Sequence, residues 1–165
     1  MKKLIRTILR RFYTNKVKHC AKKCGSGLRV NGKSFVTNKT VLGNNVNFNG
    51  INITGNGSVL IGDNFHSGRE CLFISQNHNF DNGCAIPYDD TYVIKNIIVE
   101  DNVWLGERVI VLGGVTIGEG AIIQAGSVVV NNVPKCAIAG GHPAKVFKYR
   151  DIEHYETLKN ERSFY

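Results

Sequence analysis

The chain has 165 residues, of which 42% are hydrophobic and 9% aromatic, and this is enough for one folded domain with a core. No stretch approaches the ~20 consecutive apolar residues that a membrane-spanning helix needs, which excludes an integral membrane protein. The five cysteines are an odd, widely spaced set, and no apolar segment has the length of a signal peptide's core. We therefore expect reduced thiols and a cytoplasmic protein.

The formal net charge of +8 is concentrated at one end of the chain. Residues 1–24 contain nine Lys or Arg and no acid, whereas residues 25–165 contain 12 basic and 13 acidic residues. The body is nearly neutral, so the charge is not that of a nucleic-acid-binding surface spread over the fold. We expect no nucleic acid among the partners.

Residues 1–13 carry apolar side chains at helical spacing, with basic residues on the opposite side. The apolar residues are Met1, Leu4, Ile5, Ile8, Leu9, Phe12 and Tyr13. This pattern predicts an amphipathic helix inside a basic segment, residues 1–24. The helix either lies on an anionic membrane surface or packs on its own chain or a neighbouring subunit. Cys20, Cys24 and His19 lack a second pair of ligands, so we expect no metal there.

The main signal is a six-residue repeat. Aliphatic residues recur at Val99, Leu105, Val111, Ile117, Ile123 and Val129, and a small or β-branched residue follows each of them four positions later. The first half of the body repeats more loosely. Three short strands joined by tight turns form one triangular coil, whose aliphatic side chains point inward and whose neighbours stack on it. Asparagines at the turns tolerate a positive φ, and the candidates are Asn44, Asn45, Asn64 and Asn102. The fold class predicted for residues 25–150 is an all-β parallel β-helix of about four to five coils.

The repeat is interrupted over residues 79–98, directly after His78. Ordering a polar excursion of ~20 residues on a strict solenoid is costly, which favours a functional loop. The final segment, 151–165, is predicted to be a helical tail, with a helix over 151–162 and Asp151 as its N-cap.

Four segments together with the repeat resemble the hexapeptide-repeat acyltransferases, in particular the galactoside, maltose and polysaccharide O-acetyltransferases. The segments are DNVWLG (101–106), GGVTIG (113–118), AGSVVV (125–130) and GGHPAKV (140–146). The resemblance covers residues 28–150. It implies a left-handed β-helix, a homotrimer, and acetyl-CoA bound as co-substrate in a groove between neighbouring prisms, with no metal.

The resemblance implies that His78, at the mouth of the excursion, is the general base. An imidazole with a pKa near 6.5 can accept the proton of a sugar hydroxyl as that hydroxyl attacks a thioester. The resemblance also implies an acidic residue about a dozen positions downstream that orients this base, and Asp90 fits; a solvated loop carboxylate is the alternative. Asn77 and Asn79 are candidates for contacting the acceptor.

The resemblance places Trp104 in the active-site groove, near the thioester and the acceptor, although a β-helix can also bury a Trp as core. Ala125 matches the small residue whose backbone meets the pantetheine arm. The other residues that the resemblance assigns to coenzyme A are Gly106 and Gly114, for close backbone approach, and Lys145, Lys148 and Arg150, for the phosphates.

The predicted function is acetyl-CoA-dependent O-acetylation of a sugar hydroxyl of a surface polysaccharide, such as capsule or lipopolysaccharide. The alternative is N-acetylation of an amino sugar or a nucleotide-amino-sugar, which uses the same base and cofactor groove. A metalloenzyme of the γ-carbonic-anhydrase kind needs three histidines at repeat spacing on adjacent faces; His66 and His78 are twelve residues apart, and no third histidine lies nearby. A non-catalytic scaffold is the remaining alternative. The acid-free N-terminal segment favours a carbohydrate acceptor held at the inner face of the membrane.

Overall fold

A computed structural model describes residues 2–165, with side chains from residue 4 onward. Met1, the first residue of the predicted apolar pattern, lies outside the described residues. The elements in chain order are α1 (Lys2–Cys20), β1 (Lys23–Cys24), β2 (Arg29–Val30), β3 (Thr40–Leu42), β4 (Asn47–Phe48), β5 (Ile51–Thr54), β6 (Val59–Ile61), β7 (His66–Ser67), β8 (Cys71–Ile74), β9 (Gln76–His78), β10 (Tyr92–Ile94), β11 (Ile97–Val99), β12 (Trp104–Leu105), β13 (Ile110–Leu112), β14 (Thr116–Ile117), β15 (Ile122–Ile123), β16 (Val128–Val129), β17 (Ala137–Gly140), β18 (Lys145–Tyr149) and α2 (Ile152–Asn160).

The strands form a parallel β-solenoid with three faces. Face A is β1-β3-β6-β11-β14, face B is β2-β4-β7-β12-β15-β17 with β18 at its edge, and face C is β5-β8-β13-β16. Every pairing within the faces is parallel except β17 with β18. The chain passes from face A to B to C and back to A, so each coil has an A–B, a B–C and a C–A corner. This confirms the predicted fold class.

The inward positions of the repeat form the core. The six aliphatic residues from Val99 to Val129 are at most 1% exposed, and the residues four positions after each are buried as well. An aliphatic residue at every sixth position fills the prism because each hexapeptide contributes one strand and one turn. The predicted inward residues are therefore confirmed.

The solenoid has six turns, counted on the parallel strands of face B, rather than the predicted four to five. Counting coils by a strict six-residue repeat gives too few, because the turns between the strands vary in length. Paired residues of successive coils are 16 apart for Ile123 and Ala139 and 20 apart for Ile53 and Phe73. The inward side chain fixes the register of each strand, and the corners absorb the insertions.

Asparagines stack along the A–B corner. Asn45, Asn64 and Asn102 have φ values of 52°, 54° and 60°, in the left-handed region where Asn is tolerated. The Asn45 Nδ2 donates to Asn64 Oδ1 at 3.0 Å, and Asn64 Nδ2 donates to Asn102 Oδ1 at 2.9 Å. Asn44, also predicted at a positive φ, instead accepts a hydrogen bond from the backbone N–H of Ser26. The side-chain ladder ties successive coils together.

The N-terminal helix α1 is longer than the predicted 1–13, because its last turns cover the open end of the first coil. Val17 is 1% exposed within the core, and the Thr14 hydroxyl accepts from the backbone N–H of Val30 at 3.1 Å. Cys20 Sγ donates to Val36 O at 2.9 Å. Neither helix described within residues 2–165 is long and apolar enough to cross a membrane.

The C-terminal helix begins where it is predicted and ends slightly earlier, at Asn160. Asp151 is its N-cap, and its carboxylate accepts from the backbone N–H of His154 at 3.0 Å. The helix docks through Tyr155, whose hydroxyl donates to Glu119 Oε1 at 2.8 Å and accepts from Asn102 at 3.0 Å. The A–B corner therefore carries the C-terminal tail.

Candidate active site

One excursion leaves the solenoid at the C–A corner, as the antiparallel hairpin of β9 and β10. The Lys95 N–H donates to Ser75 O at 2.9 Å and closes the base of the hairpin. The excursion therefore runs over 76–95 rather than the predicted 79–98. Residues 97–99 belong to face A as β11, where Ile97 is fully buried. The predicted start of the excursion is three residues too late, because β9 follows face C without a break in strand-like residues.

His78 is held at the end of β9 between two tyrosine rings. It pairs with Tyr92 across the hairpin, and the two ring centroids lie 4.6 Å apart. Tyr88 folds back from the loop and stacks on the imidazole at 3.8 Å, with 20° between the ring planes. His78 Nδ1 is buried and has no hydrogen-bond partner among the described residues. Packing, rather than a hydrogen bond, fixes this ring in a single chain.

Neither tyrosine is predicted by the sequence pattern. Tyr92 is in principle accessible to prediction, since a hairpin that begins at residue 76 places it opposite His78. Tyr88 carries no such signal, because it lies in an irregular loop whose path the spacing does not define.

The loop carboxylates have a different arrangement from the predicted one. Asp89, not Asp90, is the structured acid: it accepts from the Thr91 hydroxyl at 2.6 Å and from the Cys84 N–H at 2.8 Å. These hydrogen bonds, that from the Thr91 hydroxyl first, lower the pKa of Asp89 well below its usual range. Asp90 is exposed, and no hydrogen bond joins it to His78 in the described chain. The expected His78–Asp90 pair is therefore absent, because the turn uses the neighbouring carboxylate to order the loop.

The two candidate acceptor contacts differ from each other. Asn77 is exposed on β9, opposite Val93, and is free to meet a ligand. Asn79 donates through Nδ2 to Thr91 Oγ1 at 3.1 Å, and its Oδ1 accepts from the Asn82 N–H at 3.1 Å. Asn79 thus closes the loop instead of presenting its amide to an acceptor.

Trp104 lies on the outer surface of face B and is 53% exposed. The interpretation as buried core is therefore wrong. It lines a groove of about 350 Å³ between the solenoid and the C-terminal tail. His66, Tyr155 and Tyr165 are among the other lining residues, and the His66 and Tyr165 rings lie 5.6 Å apart. An indole in this position offers a flat apolar surface to a ligand.

Two of the residues assigned to coenzyme A share the B–C corner. A Cβ on Gly106 would lie 2.5 Å from the backbone nitrogen of Ala125, so only glycine permits this contact between coils. Ala125 is itself exposed, and a Cβ added to Gly126 beside it would meet no atom within 4 Å. Lys145 lies on the exposed edge strand β18, opposite Gly140. A cradle of small residues with a nearby cation fits a pantetheine arm and a phosphate.

The remaining cofactor candidates lie elsewhere. Gly114, with φ of 91°, is at the C–A corner beneath Lys95. Lys148 is exposed on face B, opposite Ile138. Arg150 donates through Nε to Gly120 O at 2.7 Å and lies over the Tyr155 ring, which ties it to the A–B corner. The structure thus gives Arg150 a role in holding the tail and separates it from the B–C corner.

Within one chain, His78 and Trp104 are not brought together. His78 is at the C–A corner, and in a triangular coil that corner lies opposite face B. The groove around Trp104 does not include His78. His66 is likewise on face B, so it forms no pair with His78. No group of three His, Cys, Asp or Glu in residues 2–165 has the arrangement to hold a metal ion.

A three-faced parallel solenoid with one long corner loop is the architecture of hexapeptide-repeat proteins. The comparison with family models agrees: residues 96–131 match the bacterial transferase hexapeptide (six repeats). A search of curated protein sequences found no match.

Solved structures of hexapeptide-repeat acetyltransferases share the fold. A hexapeptide-repeat-containing acetyltransferase from Vibrio cholerae, in complex with acetyl coenzyme A, has a TM-score of 0.65 and 26% identity, covering 80% of this chain and 73% of that one. A galactoside acetyltransferase in complex with coenzyme A has a TM-score of 0.73 and 25% identity, covering 85% and 71%. A point mutant of AntD, an N-acyltransferase from Bacillus cereus, in complex with dTDP and coenzyme A, has a TM-score of 0.66 at 20% identity, covering 89% and 94%, and it shows the fold alone. The resemblance drawn from the sequence is therefore confirmed.

Proposed function

We propose that the protein is an acetyl-CoA-dependent acyltransferase that acetylates a sugar hydroxyl of a surface polysaccharide. The observation that carries this is His78, an imidazole fixed between Tyr88 and Tyr92 on the one excursion of the solenoid. Two structures of this fold at 25–26% identity hold coenzyme A or its acetyl thioester. The B–C corner of this chain fits that ligand, since Gly106 and Ala125 leave room for a pantetheine arm and Lys145 supplies a cation.

In this mechanism His78 is the general base. Its Nδ1 is buried, which leaves Nε2 for the acceptor. His78 accepts the hydroxyl proton as the sugar oxygen attacks the thioester carbonyl. The C–S bond then breaks, and the imidazolium returns the proton to the leaving thiolate. The thioester is already activated, so no covalent enzyme intermediate is needed.

Trp104 enters the proposal through assembly. Because His78 and Trp104 lie on opposite sides of one prism, a second copy must supply one of them if both serve the same site. A homotrimer, in which each excursion reaches face B of its neighbour, meets this requirement. Mixing inactive His78→Ala and Trp104→Ala subunits tests it: mixed assemblies are expected to recover activity, and unrecovered activity contradicts a shared site.

The cellular setting is also part of the proposal. The free thiols of all five cysteines favour the cytoplasm. The exposed aromatic rings of Tyr88 and Trp104 offer flat surfaces that suit a sugar ring. We take the acceptor to be a carbohydrate attached to, or made near, the inner face of the membrane.

The test follows the free thiol released from acetyl-CoA across a panel of oligosaccharide and amino-sugar acceptors. Release stimulated by a glycan with hydroxyls only supports O-acetylation, whereas release with amino sugars only would replace it by N-acetylation. His78→Ala should lower turnover by at least ~10²-fold, the usual contribution of a general base. A folded His78→Ala protein with full activity would remove His78 from the mechanism.

A further inference from the structure

The first three turns of α1 expose a stripe of large apolar side chains. We call this the α1 stripe, and it comprises Leu4, Ile5, Ile8, Leu9 and Phe12, which are 66%, 51%, 57%, 44% and 60% exposed. A helix on a soluble domain normally turns such a face toward the core. A contiguous exposed patch of this kind marks an interaction site.

The α1 stripe faces away from its own solenoid. Val17 and Thr14 fix the helix against the first coil. At about 100° per residue, Ile8 lies about 180° from Val17, and Leu4 and Phe12 lie about 140° from it. Leu9, about 80° from Val17, is at the flank of the stripe. Among the described residues the rest of the stripe is not covered by its own chain, so the interpretation in which the whole stripe packs there is wrong.

The charge around the stripe selects the partner. Helix α1 contains seven Lys or Arg and no acid, and residues 25–165 are nearly neutral. A second copy of this helix would bring like charges together, and the body of a second copy has 13 acidic against 12 basic residues, too small an excess to attract the helix. An anionic lipid surface supplies both an apolar layer for the stripe and negative charge for the flanking cations.

We propose that the α1 stripe inserts into the surface of an anionic bilayer, with α1 lying in the interface plane at one end of the solenoid. Since α1 covers the first coil and face B continues to the sixth, the far coils project away from the lipid. This binding does not depend on the proposed reaction, so failure of one leaves the other open to its own test.

The experiment measures co-sedimentation of the full chain with vesicles of phosphatidylcholine alone or with about 30% phosphatidylglycerol. We expect binding to the anionic vesicles that weakens with added salt. Ile8→Glu should lower this binding at least about tenfold, because it places a carboxylate at the centre of the stripe. Phe147→Glu makes the same change at an exposed residue of β18, at the other end of the solenoid, and should bind as the wild type does.

Three outcomes would overturn the proposal. The first is a wild-type protein that does not sediment with anionic vesicles. The second is equal binding of the wild type and Ile8→Glu, which means that charge alone attracts the helix. In the third, the wild type does not bind vesicles but forms an oligomer, measured by light scattering, and Ile8→Glu dissociates this oligomer. That result would assign the stripe to contact between copies.

Discussion

The stack of Tyr88 on His78 gives a prediction that depends on the geometry of the excursion alone. In the single chain no hydrogen bond holds Nδ1 of His78, so the two tyrosine rings fix the orientation of the imidazole. Tyr88→Ala removes the closer ring. An aromatic pair contributes about 0.5–1.5 kcal/mol, which corresponds to roughly a two- to thirteenfold loss of the aligned base and hence of kcat.

The assay is thiol release at saturating acceptor, with acetyl-CoA varied. The KM for acetyl-CoA should not change, because the residues proposed to hold the cofactor, Gly106, Ala125 and Lys145, lie at the B–C corner and not on the excursion. Tyr88→Phe keeps the ring and should retain activity. Phe80→Ala removes an exposed ring of the same loop that does not stack on His78, and it should leave kcat near that of the wild type. Because Tyr88 lies outside the buried core, Tyr88→Ala should lower the free energy of unfolding by no more than the stack contributes, about 1.5 kcal/mol.

Two results would refute the reasoning about the stack. One is unchanged kcat in Tyr88→Ala together with the expected loss in His78→Ala; the base would then need no stacking. The other is an equal loss in Phe80→Ala, which would attribute the effect to general disturbance of the loop. Full activity of His78→Ala would instead refute the proposed function itself.

Two further predictions concern the cofactor corner and the groove on face B. Ala125→Leu fills space beside Gly106 without touching the core. The KM for acetyl-CoA should therefore rise at least about tenfold while the fold is retained. An unchanged KM when acetyl-CoA is varied would remove Ala125 from the cofactor site. Burial lowers the pKa of His66 below 6.5, so the folded state disfavours the imidazolium. As the pH falls below 6.5 the unfolded chain takes up that proton first, so the stability of the fold should decline from there. Unfolding midpoints measured between about pH 7.5 and 5.5 should fall with pH in the wild type and fall less steeply in His66→Gln. Equal slopes in the two proteins would contradict a lowered pKa for His66.

The regular half of the solenoid was predictable because its core repeats along a single axis, with each coil stacked on the one before. Val99, Leu105 and Val111 each pair with the residue 18 positions later in the next coil, so the fold repeats the spacing of the sequence. The early coils were less predictable, since turns of variable length shift the phase while the strands stay aligned. Ile53 pairs with Phe73 across 20 residues, a spacing that a strict period of six does not contain.

The excursion shows where spacing stops being informative. The prediction that His78 lies at its mouth depends only on where the repeat ends, and the structure places it on the hairpin. The choice between Asp89 and Asp90 depends on which carboxylate the turn uses. The N–H groups of Cys84 and Thr91 and the Thr91 hydroxyl converge on Asp89, and no count of residues from His78 reveals this. A loop satisfies its own backbone donors first, and the acid left over is the exposed one.

The arrangement of the site has a consequence for what one chain can do. His78 belongs to a corner and Trp104 to the face opposite, and the triangular cross-section keeps them apart in every coil. A function that uses both residues at one place requires two prisms side by side, with the C–A corner of one against face B of the next. The exposed rings of Tyr88 and Trp104 are then the aromatic surfaces that would border the space between copies, which is where a sugar acceptor would have to enter. Recovery of activity in mixed His78→Ala and Trp104→Ala assemblies is the result that this geometry demands, because each variant retains the half of the site that the other has lost.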